Sequence, residues 1–243
     1  MSVFAYYLLP SEQQRYYLQA VKAIENLTPA FPAGVFGVPE INNVLHAVLT
    51  DHPGYFWFEG KWSFMNKDGS LSVCPAYSFD RYDSSLISAG LEQIKRQLIK
   101  ASPPDNSYEN MKFIYDWILD NVSYGISGND EGQTIYSALV LKKSLCKGLS
   151  KTFQYLLEET GCFCTLQEGT LNGKVKHVWN VIELDGSYYN VDVSLGYDQF
   201  DYMFEETGRY RCFAVSDQRI EKTHMFYPHS KVLKCEHDCK GER

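Results

Sequence analysis

The chain has 243 residues, of which 44% are hydrophobic and 15% aromatic, and its formal net charge is −7. A chain of this length and hydrophobic content can bury a large core, in one domain or in two closely packed small ones, so disorder is not expected. The acidic balance, without any block of lysine or arginine, argues against nucleic acid and anionic membranes as partners.

The N-terminal segment lacks the basic region and cleavage site of a signal peptide, and no window approaches the roughly 18 apolar residues of a membrane span. We therefore expect a soluble, cytoplasmic protein. Its cysteines are odd in number and lack the rhythm of a disulfide framework, so we expect reduced thiols that serve as packing residues, metal ligands or nucleophiles. They are Cys74, Cys146, Cys162, Cys164, Cys212, Cys235 and Cys239.

Residues 1–104 are predicted to form an N-terminal region of helices and short strands. Apolar residues at helical spacing predict helices that end near residues 26, 49 and 100. Between the second and third helices, an aromatic segment predicts short strands around turns at Glu59-Gly60 and Asp68-Gly69. The proline-containing segment "ASPPDNS" then predicts a linker, with the boundary between residues 104 and 105.

Residues 105–243 are predicted to form the catalytic region. A helix from Ser107 precedes the segment "KSLCKGLSKTFQYLLEETG", in which Cys146 lies in the first turn of a further helix that Gly161 ends. Unpaired N–H groups and the positive end of the helix dipole favour a thiolate at such a position. The apolar residues of this helix predict one buried stripe: Leu149, Phe153, Leu156 and Leu157.

Beyond Gly161 the apolar period changes to two, which predicts antiparallel strands, and Asp185-Gly186 predicts a two-residue hairpin turn. In that register His177 faces Ser194 and Trp179 faces Asp192. His177 and Asp192 are then diagonal neighbours on one face of the sheet.

A general base needs this arrangement, because a carboxylate on one imidazole nitrogen frees the other nitrogen to accept a proton from a nucleophile. His177 follows Cys146 by 31 positions, and Asp192 follows His177 by 15. The order and spacing of Cys146, His177 and Asp192 fit the thiol, imidazole and carboxylate of acyl transfer.

The segments "LCKGLSKTFQYLLEETG", "HVWNVIELDGSYYNVD" and "FAVSDQRIEKTH" resemble the transglutaminase-like superfamily, and "DHPGYFWF" resembles N-terminal segments of bacterial members. The resemblance implies an α+β, papain-like fold with the nucleophile on a helix packed against a small antiparallel sheet. It implies Cys146 as nucleophile, His177 as base and Asp192 as its orienter. The residues at 147–150 and 193–195 depart from the common bacterial pattern.

We therefore expect cysteine-dependent acyl transfer or hydrolysis on an amide of a peptide or protein substrate, through a thioester, without a cofactor or metal. Water as acceptor makes a protease or deamidase, and an amine makes a transglutaminase. Gln133 is a candidate oxyanion donor beside the backbone N–H of Cys146, and Trp179 is a candidate wall of the cleft. The oligomeric state is left open.

Two alternatives follow from the same residues. A binding or scaffold protein that keeps the fold without catalysis predicts an unreactive Cys146. A zinc site in the tail "CEHDC" would use Cys235, His237 and Cys239, with Cys212 or His224 as a further ligand, although a second cysteine pair at ligand spacing is lacking.

Overall fold

The computed structural model describes residues 3–103, 107–128, 131–205, 208–227 and 230–239. The chain forms two compact units, Met1–Glu92 and Gln93–Arg243. The predicted linker falls partly on residues 104–106, which lie outside the described residues, so the boundary between residues 104 and 105 stays a prediction.

The first unit contains helices and one three-stranded antiparallel sheet of order β1-β3-β2. Its core is formed by apolar side chains of α2, α3 and the sheet, among them the fully buried Ile24, Ile41 and Leu45. The elements are α1 (Phe4–Leu8), α2 (Ser11–Glu25), β1 (Phe31–Pro32), α3 (Val38–Asp51), β2 (Phe58–Lys67), β3 (Ser70–Tyr77) and α4 (Arg81–Ala101), and the unit boundary falls inside α4.

One of the two turns predicted among the aromatic strands is confirmed and the other is wrong. Asp68-Gly69 joins β2 to β3, with both residues at positive φ (50° and 80°), as a tight hairpin turn requires. Glu59-Gly60 instead lies inside β2, where the pairing with β3 shifts between Phe58 and Trp62. Gly60 has a φ of 70°, which lets the strand bulge and continue instead of reversing.

The second unit combines helices with a four-stranded antiparallel sheet of order β8-β7-β6-β9 and a short parallel pair, β4 with β5. This mixed architecture confirms the predicted α+β class. The elements are α5 (Ser107–Asn121), β4 (Ser123–Tyr124), α6 (Ile135–Leu139), β5 (Lys143–Ser144), α7 (Cys146–Leu157), β6 (Cys164–Leu171), β7 (Val175–Leu184), β8 (Ser187–Val191), α8 (Asp217–Ile220) and β9 (His224–Phe226).

The hairpin of β7 and β8 has the predicted register near its turn. Leu184 pairs with Ser187 and Asn180 pairs with Val191. The outer backbone pairs of that register are not made, because β8 ends at Val191 and the chain turns into a short 3₁₀ helix at residues 194–196.

Helix α7 is the centre of the second unit. The predicted buried stripe is confirmed, but the helix is buried on all sides from Gly148 to Leu157, polar residues included. The Ser150 hydroxyl donates to the Val178 carbonyl of β7 at 3.1 Å, and the Asn180 amide donates back to the Ser150 carbonyl at 3.1 Å. These bonds attach the helix that begins at Cys146 to the strand that carries His177.

Among the described residues, no helix combines the length and the apolar character that crossing a membrane requires.

Candidate active site

Cys146 is the first residue of α7 and is partly exposed. The chain reaches it through β5, which pairs with β4 in parallel, and the Leu145 N–H donates to the Gly132 carbonyl at 2.9 Å. The position confirms that the cysteine lies at the positive end of a helix dipole, beside N–H groups that have no intrahelical partner.

The segment around Gln133 packs directly against the start of α7. A Cβ atom on Gly148 would lie 2.7 Å from the Gly132 carbonyl oxygen and 2.9 Å from that of Thr134, so only glycine fits there. Gln133 is therefore held beside the first turns of α7 by both of its neighbours. Its side-chain amide donates to the Glu131 carbonyl at 3.2 Å within its own loop.

His177 and Asp192 are buried and joined directly: His177 Nε2 lies 2.7 Å from Asp192 Oδ2. An ionised carboxylate only accepts hydrogen bonds, so Nε2 carries the hydrogen and Nδ1 is the nitrogen left for Cys146. Burial opposes a charged imidazole, but the charge and hydrogen bond of Asp192, followed by those of the Cys146 side chain, raise the pKa of His177.

Asp192 keeps its charge despite complete burial. Burial acts to raise its pKa, but His177 and then His224 hold the pKa of the carboxyl well below its usual range. Its second oxygen, Oδ1, accepts from the Ser194 backbone N–H at 2.9 Å and from the Ser194 hydroxyl at 2.7 Å. The sequence contains a signal for this contact, since an aspartate followed two residues later by serine is typical of an Asx turn.

A second imidazole contacts the same carboxylate. His224 Nε2 lies 3.0 Å from Asp192 Oδ2, and the His224 side chain is fully buried. From the sequence alone, His224 is a candidate only for a zinc ligand. The contact forms because β9 pairs with β6, with His224 opposite Leu171, and this pairing is not visible in a local pattern.

Trp179 is fully buried behind the two imidazoles. Its ring centroid lies 6.3 Å from that of His177 and 4.7 Å from that of His224, and its indole N–H donates to Asn190 Oδ1 at 2.9 Å. The side chain therefore packs against the site and excludes water from it, with no exposed face.

Tyr124, at the end of β4, is a further neighbour of Cys146 that sequence reasoning misses. Burial raises the pKa of its hydroxyl, and the nearby charges of Cys146 and Asp192 raise it further, while a hydrogen bond from the Cys146 backbone N–H opposes the shift. The phenol is therefore neutral and lies close to Cys146. Its ring packs edge-on against Phe200.

His177, Asp192 and His224 are also a set of residue types that bind metal ions, with ligand atoms within 4.8 Å of one another. The distances of 2.7 and 3.0 Å to Asp192 Oδ2 are those of hydrogen bonds, and the two imidazoles and the carboxylate satisfy each other. Within the described part of the chain, no such grouping includes the tail residues Cys235, His237 and Cys239.

The family match falls on the unit that contains this site. Residues 93–193 match the transglutaminase-like superfamily. Kyphoscoliosis peptidase of Homo sapiens is 24% identical over 146 residues, which are 54% of this chain and 22% of that protein. Its Mus musculus counterpart is 23% identical over 137 residues, 49% of this chain and 20% of that protein. The chain thus spans about a fifth of the length of these curated relatives.

Among solved structures, the crystal structure of a TGase is 12% identical, with a TM-score of 0.38, over 76% of this chain and 48% of that one. The match over residues 93–193 confirms the predicted resemblance to the transglutaminase-like superfamily, and it begins where the second compact unit begins. It supports a thiol-enzyme function in general terms, in a superfamily that also contains inactive members.

Proposed function

We propose that the second unit is a thiol enzyme that transfers the acyl group of a peptide or protein amide through a Cys146 thioester. The observation that supports this best is the direct hydrogen bond of His177 Nε2 to Asp192 Oδ2 at 2.7 Å, which leaves Nδ1 of the same imidazole for the thiol of Cys146. A raised pKa of His177 favours a thiolate–imidazolium pair, which is the reactive form of a cysteine nucleophile.

In the proposed reaction His177 Nδ1 takes the proton of the Cys146 thiol, and the thiolate attacks the amide carbonyl carbon. The tetrahedral oxyanion is held by the Cys146 backbone N–H and a side-chain donor, for which Tyr124 and Gln133 are the candidates. The C–N bond then breaks, and the amine leaves with the proton from His177. Water or a second amine then attacks the thioester carbon and gives a proton to His177. The C–S bond breaks, the product leaves, and the Cys146 thiolate takes the proton back from His177.

The experiment offers a glutamine-containing peptide, with and without a primary amine, to the wild type and to Cys146→Ala, and follows the peptide masses. We expect ammonia release or backbone cleavage without the amine, or incorporation of the amine, and loss of all products in Cys146→Ala. Cys162→Ala, which removes another partly exposed thiol, is the matched control and should keep wild-type activity.

A substrate-independent measurement accompanies it, because the natural substrate is a separate question. Iodoacetamide at pH 6 should alkylate Cys146 faster than the other six cysteines, as judged by mass spectrometry of each peptide. Equal rates at all seven cysteines would contradict the proposal and favour a non-catalytic binding protein.

A further inference from the structure

The second imidazole on Asp192 has no part in the reaction just described. We propose that His224 is a positioning residue that keeps Asp192 ionised and oriented toward His177, and the proposal rests on the acyl-transfer function above. His224 comes from β9, 32 positions after Asp192 in the chain, and reaches the carboxylate through strand pairing.

The positions of the ring hydrogens on His177 and His224 follow from the carboxylate that accepts them. Asp192 Oδ2 lies 2.7 Å from His177 Nε2 and 3.0 Å from His224 Nε2. Because an ionised carboxylate only accepts, both nitrogens must carry hydrogen. His224 thus fills the second lone pair of the oxygen that holds the general base.

The other nitrogen of His224 has a partner in either protonation state. Nδ1 lies 3.0 Å from the Thr223 hydroxyl, which can donate to a bare nitrogen, and 3.2 Å from the Ile220 carbonyl, which can accept from a protonated one. The ring therefore keeps hydrogen on Nε2 whether it is neutral or cationic, so Asp192 retains this donor in both forms.

Water cannot replace the His224 N–H as donor, because the surroundings of Asp192 Oδ2 are closed to solvent. His224 is 1% exposed and Asp192 is fully buried, and the Trp179 ring covers both imidazoles. A lone pair left without a donor in such a place destabilises the anion that owns it, because the low local dielectric strengthens hydrogen bonds and makes their loss costly.

The other ionisable groups around Asp192 do not supply a substitute. Burial raises the pKa of the Tyr115 hydroxyl, the Tyr124 hydroxyl and the Cys212 thiol, and the charge of Asp192 raises each further, so all three stay neutral and add no positive charge beside the carboxylate. The Tyr115 hydroxyl donates to the Arg209 carbonyl at 2.5 Å instead. The nearby Arg211 donates to the Leu195 and Tyr197 carbonyls and pairs with Asp201. Among the described residues, the two imidazoles are the side chains that donate to Oδ2.

Removal of the His224 donor leaves one lone pair of Asp192 Oδ2 without a partner, so the carboxylate is no longer fixed toward His177 Nε2 and the His177 ring is held less firmly beside Cys146. The Cys146 thiolate loses part of its counter-charge, so its alkylation should begin at higher pH. For the loss of one hydrogen bond to a charged group, we expect alkylation at pH 6 to fall about tenfold, which corresponds to a shift of about one pH unit.

The test measures iodoacetamide alkylation of Cys146 from pH 4 to pH 9 in the full chain. His224→Phe keeps an aromatic ring against Trp179 and removes the donor, whereas His224→Gln keeps an N–H near the position of Nε2. We expect the shifted profile in His224→Phe and a return to within about threefold of wild type in His224→Gln. His237→Ala, at an exposed position of the tail, is the control and should match wild type.

The outcomes separate the two proposals. A wild-type Cys146 that reacts no faster than the other cysteines overturns the enzymatic function and this inference with it. A reactive wild type with an unchanged profile in His224→Phe overturns the positioning role alone. Equal shifts in His224→Phe and His224→Gln also overturn it, since they indicate packing and not the donor.

A measurement on the wild type covers the case in which neither His224 variant folds, as judged by circular dichroism. Nitrogen-15 NMR of the imidazole rings should show hydrogen on Nε2 of His224. A neutral ring with hydrogen on Nδ1 alone would contradict the proposal.

Discussion

Each of the two units contains a buried aspartate close to a histidine, but the contact differs. In the first unit the Tyr17 hydroxyl lies between the two, donating to Asp51 Oδ2 at 3.0 Å and lying 2.9 Å from His52 Nε2. In the second unit His177 donates directly to Asp192 at 2.7 Å. A tyrosine hydroxyl bridges the aspartate and the histidine of the first unit, whereas the aspartate and the histidine of the second unit are hydrogen-bonded directly.

The charge states differ accordingly. Burial raises the pKa of Asp51 to about 6, although hydrogen bonds from Ala5, Tyr6 and Tyr17 oppose the shift. Burial lowers the pKa of His52 to about 4, with only a partial opposing effect from the charge of Glu25. In the first unit burial therefore dominates, and His52 is neutral at neutral pH.

In the second unit the same burial is outweighed. Opposite charges in direct contact keep the pKa of Asp192 low and that of His177 high. The difference teaches that burial of an aspartate and a histidine is not enough for an ion pair, and that the direct N–H to oxygen contact decides the outcome. The first cluster is therefore uncharged at the histidine, whereas the second contains an ion pair.

The largest expected effect comes from neutralising the carboxylate in each cluster. Asp192→Asn leaves a buried imidazole without its counter-charge, and loss of one partner of a buried pair costs about 3–5 kcal/mol in the free energy of unfolding. Activity should fall by roughly 10³-fold or more, because the amide no longer fixes the correct tautomer. Urea unfolding and the peptide assay measure the two effects.

Asp51→Asn is the matched variant in the first unit. The Ala5 N–H donates to Oδ1 and the Tyr6 N–H to Oδ2, at 2.8 Å each, so the single amide oxygen of asparagine keeps one of these two bonds, and we expect a loss of about 1–3 kcal/mol. Hydrogen exchange resolved by peptide assigns each loss to its unit. Equal destabilisation by the two substitutions would refute the distinction between the clusters.

The contact of His177 with Asp192 was predictable from the sequence, because a local signal sets its geometry. Asp185-Gly186 closes a two-residue turn, and a turn of that type fixes which residues of the two strands are opposite. The contact of His177 with Asp192 followed from that register, even though β8 ends one residue before Asp192. The contact of His224 did not follow, because it depends on β9 pairing with a strand more than 50 positions earlier.

The first unit shows where local patterns fail. Asp51 and His52 come from the end of α3, whereas Tyr17 comes from α2 and the two N–H donors from α1, a helix that was not predicted from the sequence. For a related reason, the sequence did not predict that α7 is buried on all sides. Periodicity reveals an apolar stripe, but it does not reveal that a second layer covers the polar face.

The bridging hydroxyl of the first unit can be removed by itself. Tyr17→Phe leaves His52 Nε2 without this partner and leaves Asp51 Oδ2 with the Tyr6 N–H, so we expect a loss of about 1–3 kcal/mol. Tyr16→Phe is the matched control, since that hydroxyl donates to one neutral carbonyl, of Pro32, at 3.2 Å. If Tyr16→Phe lowered the free energy of unfolding as much as Tyr17→Phe does, the bridging hydroxyl would contribute no more to stability than an ordinary hydrogen bond.

The smallest effect concerns the pH dependence of stability, where His52 and Asp51 oppose each other. The pKa of His52 is about 4 in the fold against an ordinary 6.5, so acidification between these values protonates the unfolded chain first and destabilises the fold. The pKa of Asp51 is about 6 against 3.8, so the folded state takes up its proton first and gains stability in the same window. The two effects largely offset each other in the wild type.

His52→Phe should expose the Asp51 contribution. A phenyl ring can keep the stacking on Tyr55, whose ring centroid lies 4.5 Å from that of His52, but it takes up no proton. From pH 7 to pH 5 we expect the variant to gain on the order of 1 kcal/mol in the free energy of unfolding relative to the wild type, measured by urea titration at both pH values. His46→Phe, at an exposed position of α3, is the matched control. A His52→Phe variant that follows the wild-type pH dependence would show that His52 already shares its proton with Asp51, as His177 does with Asp192, and that the two clusters are alike.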